Sequence, residues 1–89
     1  MTEYTTEFAA SAAKEFRALP EEIKWRVRKA VESLHRNPRP TGVRKLHSRD
    51  PLYRIRVGQY RVVYELDDEA ERIRITRVRH RRDAYEEPL

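Results

Sequence analysis

Residues 52–66 read Leu-Tyr-Arg-Ile-Arg-Val-Gly-Gln-Tyr-Arg-Val-Val-Tyr-Glu-Leu, two alternating runs of β-branched and aromatic residues folded back about Gly58-Gln59. Such a pattern admits little except a β-hairpin. Tyr53, Ile55 and Val57 alternate with Arg54 and Arg56, so a period of two sends the apolar side chains to one face and both guanidinium groups to the other. In the returning strand Tyr60, Val62, Tyr64 and Leu66 share a face, and Arg61 points the opposite way, towards Arg54 and Arg56. Three like charges on neighbouring strands repel, which costs stability unless solvent spreads them or an anion sits between them.

The segments around the hairpin supply what it must pack on. Tyr4, Thr6 and Phe8 alternate with Glu3, Thr5 and Glu7, predicting a strand over Glu3 to Phe8. Ala9, Ala12, Ala13, Phe16 and Leu19 recur at helical spacing, with Ser11 as the expected cap and an end near Leu19. A second helix starts with Pro20 in the first helical position and Glu21-Glu22 at the positive end of the dipole. Its stripe is Ile23, Val27, Ala30, Val31 and Leu34, and Asn37-Pro38, Pro40 and Gly42 end it. Trp25 lies off the stripe, where it is either shielded by a neighbouring segment, the favoured expectation, or reserved for a partner. Residues 38–51 form a basic loop anchored by Val43 and Leu46, bringing Arg44, Lys45, His47 and Arg49 near the hairpin. These are either phosphate contacts or solvated loop residues. After an acidic turn from Asp67 to Glu71, a last strand runs from Arg72 to His80. Val78 has the opposite parity to Ile73 and Ile75, which predicts a bulge near Thr76 and Arg77. The tail from Arg81 to Leu89 is expected to be a helical turn or an irregular end lying over the sheet. The order βααβββ, without repeat or linker, predicts one α+β domain over residues 1–89: a curved antiparallel sheet with a helical hairpin on one face.

Composition narrows the function. No cysteine is present, so disulfides and thiolate metal sites are excluded and a reducing compartment is expected. No apolar run approaches a bilayer-spanning length, and the N-terminus lacks a secretory pattern, which predicts an unexported, cytoplasmic protein without a membrane partner. The net charge of +5 lies entirely in residues 36–89. A basic excess confined to the hairpin and its flanking C-terminal half is either a face for nucleic acid or an acidic protein, or a solvated, Arg-rich surface. His35, His47 and His80 are far apart, with no paired carboxylates at ligand spacing, so no metal or other cofactor is expected. Ser11, Ser33 and Ser48 occupy no nucleophile elbow, and two glycines, Gly42 and Gly58, are too few for a phosphate-cradling loop.

The remaining chemistry is arginine: Arg54, Arg56, Arg61, Arg79, Arg81 and Arg82, with His80 and Tyr85 among them. Guanidinium groups clamp phosphate in bidentate fashion, and an aromatic ring stacks on an unpaired base, a combination that suits RNA. The ribose 2′-OH is a nucleophile carried by the substrate, so the protein needs only to align it, stabilise the phosphorane and move two protons. Arginine does the second well and proton abstraction badly. By chemistry alone Arg54, His80 and Tyr85 all remain open as base.

Leu52 to Tyr64, with Arg-Val-Arg-His-Arg-Arg-Asp-Ala-Tyr at residues 77–85, resembles the RelE branch of the RelE/ParE toxin superfamily. The Leu-Pro-Glu-Glu helix start and the Asn-Pro-Arg-Pro loop agree, so the resemblance covers nearly the whole chain. It implies a toxin paired with a RelB-like antitoxin that enters the ribosomal A site and cuts mRNA without metal, touching operator DNA only through the antitoxin complex. It further implies that Arg54 and Arg56 serve proton removal and phosphate binding, that Arg61 stabilises the transition state, that Arg81 protonates the leaving oxygen, and that Tyr85 stacks on the substrate. Arg44, Lys45, Arg79, His80 and Arg82 are the expected RNA-binding companions. Lysines often fill the first two positions in the family, and many relatives have glycine where Arg79 stands. Two other readings are a ParE-like inhibitor of DNA gyrase and a non-catalytic module that binds an acidic antitoxin as its co-repressor.

Overall fold

The computed structural model describes residues 3–46 and 51–84; His47, Arg49 and Tyr85 lie outside the described residues. Strand β1 (Thr5–Phe8) leads into helices α1 (Ala10–Arg17) and α2 (Glu21–Leu34). A two-residue strand β2 (Arg44–Lys45), the hairpin strands β3 (Leu52–Val57) and β4 (Tyr60–Asp67), strand β5 (Arg72–His80) and a helical turn α3 (Arg81–Ala84) complete the chain order. Among the described residues the strands form one five-stranded sheet in the order β1-β5-β4-β3-β2. No helix in this part of the chain is long and apolar enough to cross a membrane.

The α+β class and the helical pair on one face are as expected, but the sheet is mixed, because β1 runs parallel to β5. Alternation fixes which face a residue takes and says nothing about the direction of a pair so distant in sequence. The helical pair returns the chain to the level at which it began, and the Tyr4 N–H donates to the His35 carbonyl at 2.9 Å. The short β2 is an addition to the expected order: Arg44 faces Arg54 and Lys45 faces Tyr53. Two residues are too few to carry an alternation signal. Val43 anchors the loop against the core, while Leu46 is half-buried.

The hairpin pairs Val57 with Tyr60, leaving Gly58-Gln59 as its two-residue turn. Gly58 takes φ +60°, the left-handed conformation such turns require, and a Cβ there would lie 3.3 Å from an Arg26 guanidinium nitrogen. The predicted bulge is present: Val63 pairs with Arg77 and Tyr64 with Ile75, leaving Thr76 as the extra residue on β5. It turns Val78 onto the helix-facing side with Ile73 and Ile75, and all three are buried.

The core joins Val27, Val31 and Leu34 of α2, Ala12 of α1 and Leu19 to the inward residues of β3, β4 and β5. Ile23 and Ala30 complete the α2 stripe as half-buried members. Three local expectations need correction. Ala9, not Ser11, is the N-cap of α1, and the Ser11 hydroxyl donates to the Thr76 carbonyl at 3.2 Å. Pro20 is the extended cap residue of α2 (ψ 149°) rather than its first helical residue, since its fixed φ suits either position. Trp25 is 57% exposed, with the Lys29 ammonium 5.1 Å from its ring centroid.

Candidate RNA-binding face

The sheet surface opposite the helices is built in ranks that cross the strands. In one, Arg56 of β3 pairs with Arg61 of β4, which pairs with Arg79 of β5. In the next, Arg44 of β2, Arg54, Val63 and Arg77 stand in register. The hairpin's period of two and the bulge at Thr76 together put these residues on one face: without the extra residue, Arg77 and Arg79 would turn to the helix side.

Gly42, Arg44, Arg54, Arg56 and Arg61 enclose a hollow of about 310 Å³. Its chemistry is that of an anion site, with guanidinium forks that match phosphate oxygens. Val63 is 5% exposed yet stands apart from the main core, between Arg54 and Arg77 in register. A buried apolar residue among the arginines lowers the local dielectric, which strengthens attraction to phosphate.

The other candidates lie around this face rather than on it. Lys45 alternates away from Arg44 and sits opposite Tyr53 in register. His80 packs its ring edge-on against Tyr60 at 5.2 Å, because the bulge gives it the parity of Val78. Its Nδ1 accepts the Arg82 N–H at 3.3 Å. Arg81 and Arg82 are exposed in α3, docked on the hairpin turn by the Arg81 N–H donating to the Gln59 carbonyl at 2.7 Å. Gln59, His80, Arg81 and Arg82 line a separate cleft of about 430 Å³. Arg54, Arg56, Arg61 and Arg44 are therefore brought together, while His80, Arg81 and Arg82 gather at the hairpin tip.

Two residues not singled out in the sequence shape the site. Glu15 of α1 accepts from Arg79 Nε at 2.9 Å and from Arg77 at 3.3 Å, both at Oε2, and from the Val78 N–H at 2.8 Å at Oε1. Nothing near Glu15 in the sequence marks it. Val63 was more legible, as an apolar residue sharing the parity of Arg61.

At the other end of the hairpin a polar network secures the loop that leads into β2. Arg39 donates to Asp68 at 2.7 and 3.3 Å and to the Tyr53 hydroxyl at 3.2 Å, and the Tyr4 hydroxyl donates to Asp68 at 2.7 Å. These bonds hold the Asp68 carboxyl below its ordinary pKa, Arg39 first and Tyr4 second, and the same hydrogen bond raises Tyr4. Burial pushes the Tyr64 hydroxyl up to about 12, and it donates to the Pro38 carbonyl at 2.6 Å. No cluster of three or more His, Asp or Glu that could hold a metal occurs among the described residues.

Residues 3–85 match the family model of the ParE toxin of the type II toxin-antitoxin system parDE. The fold is similar to the archaeal RelE–RelB complex from Pyrococcus horikoshii, with 30% identity, TM-score 0.79 and coverage of 91% of this chain and 97% of that one. It is likewise similar to the toxin–antitoxin complex RelBE2 from Mycobacterium tuberculosis, with 31% identity, TM-score 0.76 and coverage of 88% and 98%. The isolated RelE toxin of E. coli gives 26% identity, TM-score 0.76 and coverage of 86% and 83%. With the family model spanning nearly the whole chain and RelE toxins among its structural relatives, this chain belongs to the RelE branch of the RelE/ParE toxin superfamily.

Proposed function

We propose that this toxin is a ribosome-dependent endoribonuclease that cuts mRNA in the A site. The observation that supports it most directly is the hollow bounded by Arg44, Arg54, Arg56 and Arg61, a cationic surface suited to an RNA backbone. The ribose 2′-hydroxyl gives up its proton to solvent water as its oxygen attacks the adjacent phosphorus, and the bond to the 5′-oxygen breaks, leaving a 2′,3′-cyclic phosphate and a free 5′-hydroxyl. Arg56 and Arg61, paired across the two strands, bind the non-bridging oxygens as their charge grows. Arg54 and Arg44 hold the backbone beside them. Arg81 protonates the departing oxygen, and Tyr85 stacks on a base. Arginine is a weak base, so electrostatic stabilisation of the phosphorane carries more of the rate than proton removal.

A RelB-like antitoxin is the proposed partner, since two of the structural relatives are toxin–antitoxin complexes and a cationic face favours a segment rich in carboxylates. Operator DNA is reached through that complex. The deciding experiment maps cuts by primer extension on programmed ribosomes with wild-type protein and Arg61→Ala. Cuts inside the A-site codon that vanish in the variant are expected. The ParE name of the matching family model favours gyrase as the second reading. Folded wild-type protein that leaves mRNA whole and blocks supercoiling would replace the first reading with that one.

A further inference from the structure

β1 covers the edge of β5 only as far as Ile75, yet the strand continues to His80. Helix α1 takes over along the remaining edge. The Ala9 N–H donates to the Ile75 carbonyl at 2.8 Å, Ser11 Oγ donates to the Thr76 carbonyl at 3.2 Å, and Glu15 Oε1 accepts the Val78 N–H at 2.8 Å. Ser11 and Glu15 are one helical turn apart and so share a face. The backbone bond accounts for one carboxylate oxygen. The other, Oε2, receives Arg79 and Arg77, the last members of the two ranks, and so closes both at once.

An exposed ion pair would do little here, because two long side chains seldom keep one geometry. This contact differs in construction. The Glu15 and Arg79 side chains are only 22% and 27% exposed, and the backbone bond holds the carboxylate through the oxygen that the arginines do not use. Guanidinium is planar, so anchoring its Nε edge sets the plane of the whole group.

We propose that Glu15 is a positioning residue: its carboxylate orients Arg79 beside Arg61, so that an RNA phosphate in the arginine ranks meets Arg79 in one fixed pose. The inference rests on the ribonuclease reading and adds a third cation to the Arg56–Arg61 pair. Arg79 stands directly beside Arg61 in register, on the side of the rank away from Arg56, and lines with Glu15, Tyr60 and His80 a cleft of about 490 Å³.

Glu15→Gln separates positioning from folding. Its carbonyl oxygen still accepts the Val78 N–H, while its amide group turns donors towards the arginine donors. The thermal midpoint and ribosome affinity are expected to match wild type. Single-turnover mRNA cleavage on ribosomes is expected to slow about tenfold, as for a misplaced catalytic group. Arg79→Ala is expected to slow it by about 100-fold, and adding Glu15→Gln to Arg79→Ala should then change nothing more. A physical readout stands apart from activity: the Arg79 Nε–H should be protected from solvent exchange in the wild type and lose that protection in Glu15→Gln. Wild-type cleavage with an equally fast Glu15→Gln, an undiminished Glu15→Gln effect without Arg79, or an unprotected Arg79 Nε–H would each overturn the positioning role alone. Wild-type protein that cuts no mRNA would overturn the ribonuclease reading and this role with it.

Discussion

Arg61 takes its place in the middle of a rank, with Arg56 on one side and Arg79 on the other, so its geometry matters as much as its charge. A lysine keeps the charge and loses the planar fork. Arg61→Lys should therefore cut mRNA at least about tenfold more slowly than wild type, and Arg61→Ala about 100- to 1000-fold more slowly. Single-turnover cleavage decides it; a lysine variant with wild-type speed would mean that a point charge suffices. Tyr64 makes a different prediction. Its hydroxyl is buried with a pKa near 12, against an ordinary 10.0, so the folded state keeps its proton where the unfolded chain has lost it. That stability is complete below pH 10 and is lost as pH rises towards 12, by roughly 2 kcal/mol over the interval. Urea titrations between pH 8 and 11.5 should show the decline. Tyr64→Phe should cost about 1 kcal/mol at pH 7 through the lost Pro38 bond and flatten the alkaline limb. An equally steep limb in Tyr64→Phe would assign it to another group.

The hairpin was the most legible element, because alternation, turn residues and face assignment all agreed along it. Gly58 tests that reading. At φ +60° an L residue is strained by about 1–2 kcal/mol, and the nearby Arg26 guanidinium nitrogen, as the end of a flexible chain, can shift. Gly58→Ala should lower unfolding free energy by that amount and Gly58→Asn by less, measured in urea; equal stability of all three would deny the turn its role. The bulge at Thr76 was legible for a similar reason: Val78 broke a parity that Ile73 and Ile75 had set. What the sequence left unread was pairing over long separations. The parallel β1–β5 contact leaves no turn signal between its strands, β2 is two residues long, and Glu15 meets Val78 only after α1 has folded against the edge of β5. Nearness in sequence groups His80 with the arginines, although the same bulge turns it towards Tyr60. The face itself was readable through Arg54, Arg56 and Arg61; its extension to Arg44 required strand pairing.

Across the whole molecule, charge and function pull against stability. The +5 excess belongs to the half of the chain that builds the arginine ranks, and β-sheet register places Arg56 against Arg61 and Arg44 against Arg54. Cross-strand like charges of this kind each cost about 0.2–1 kcal/mol, which a polyanion can return when it binds. Binding to single-stranded RNA releases about 0.7 counterion per neutralised phosphate, so one phosphate shared by Arg56 and Arg61 and one each at Arg44 and Arg54 imply a slope of about −2 for log affinity against log salt. Replacing Arg54 and Arg56 together with Gln should bring that slope to about −1.4, and the loss should be similar for every RNA sequence, since phosphate contacts carry no base information. The same double variant should be the more stable protein when free, with a higher urea midpoint, because two cross-strand repulsions have gone. Filter binding over 50–300 mM salt, alongside urea unfolding of the free toxin, measures both quantities. An unchanged slope would place the RNA on another surface. A lower midpoint would mean that the arginine stems hold the sheet together more strongly than their charges push it apart.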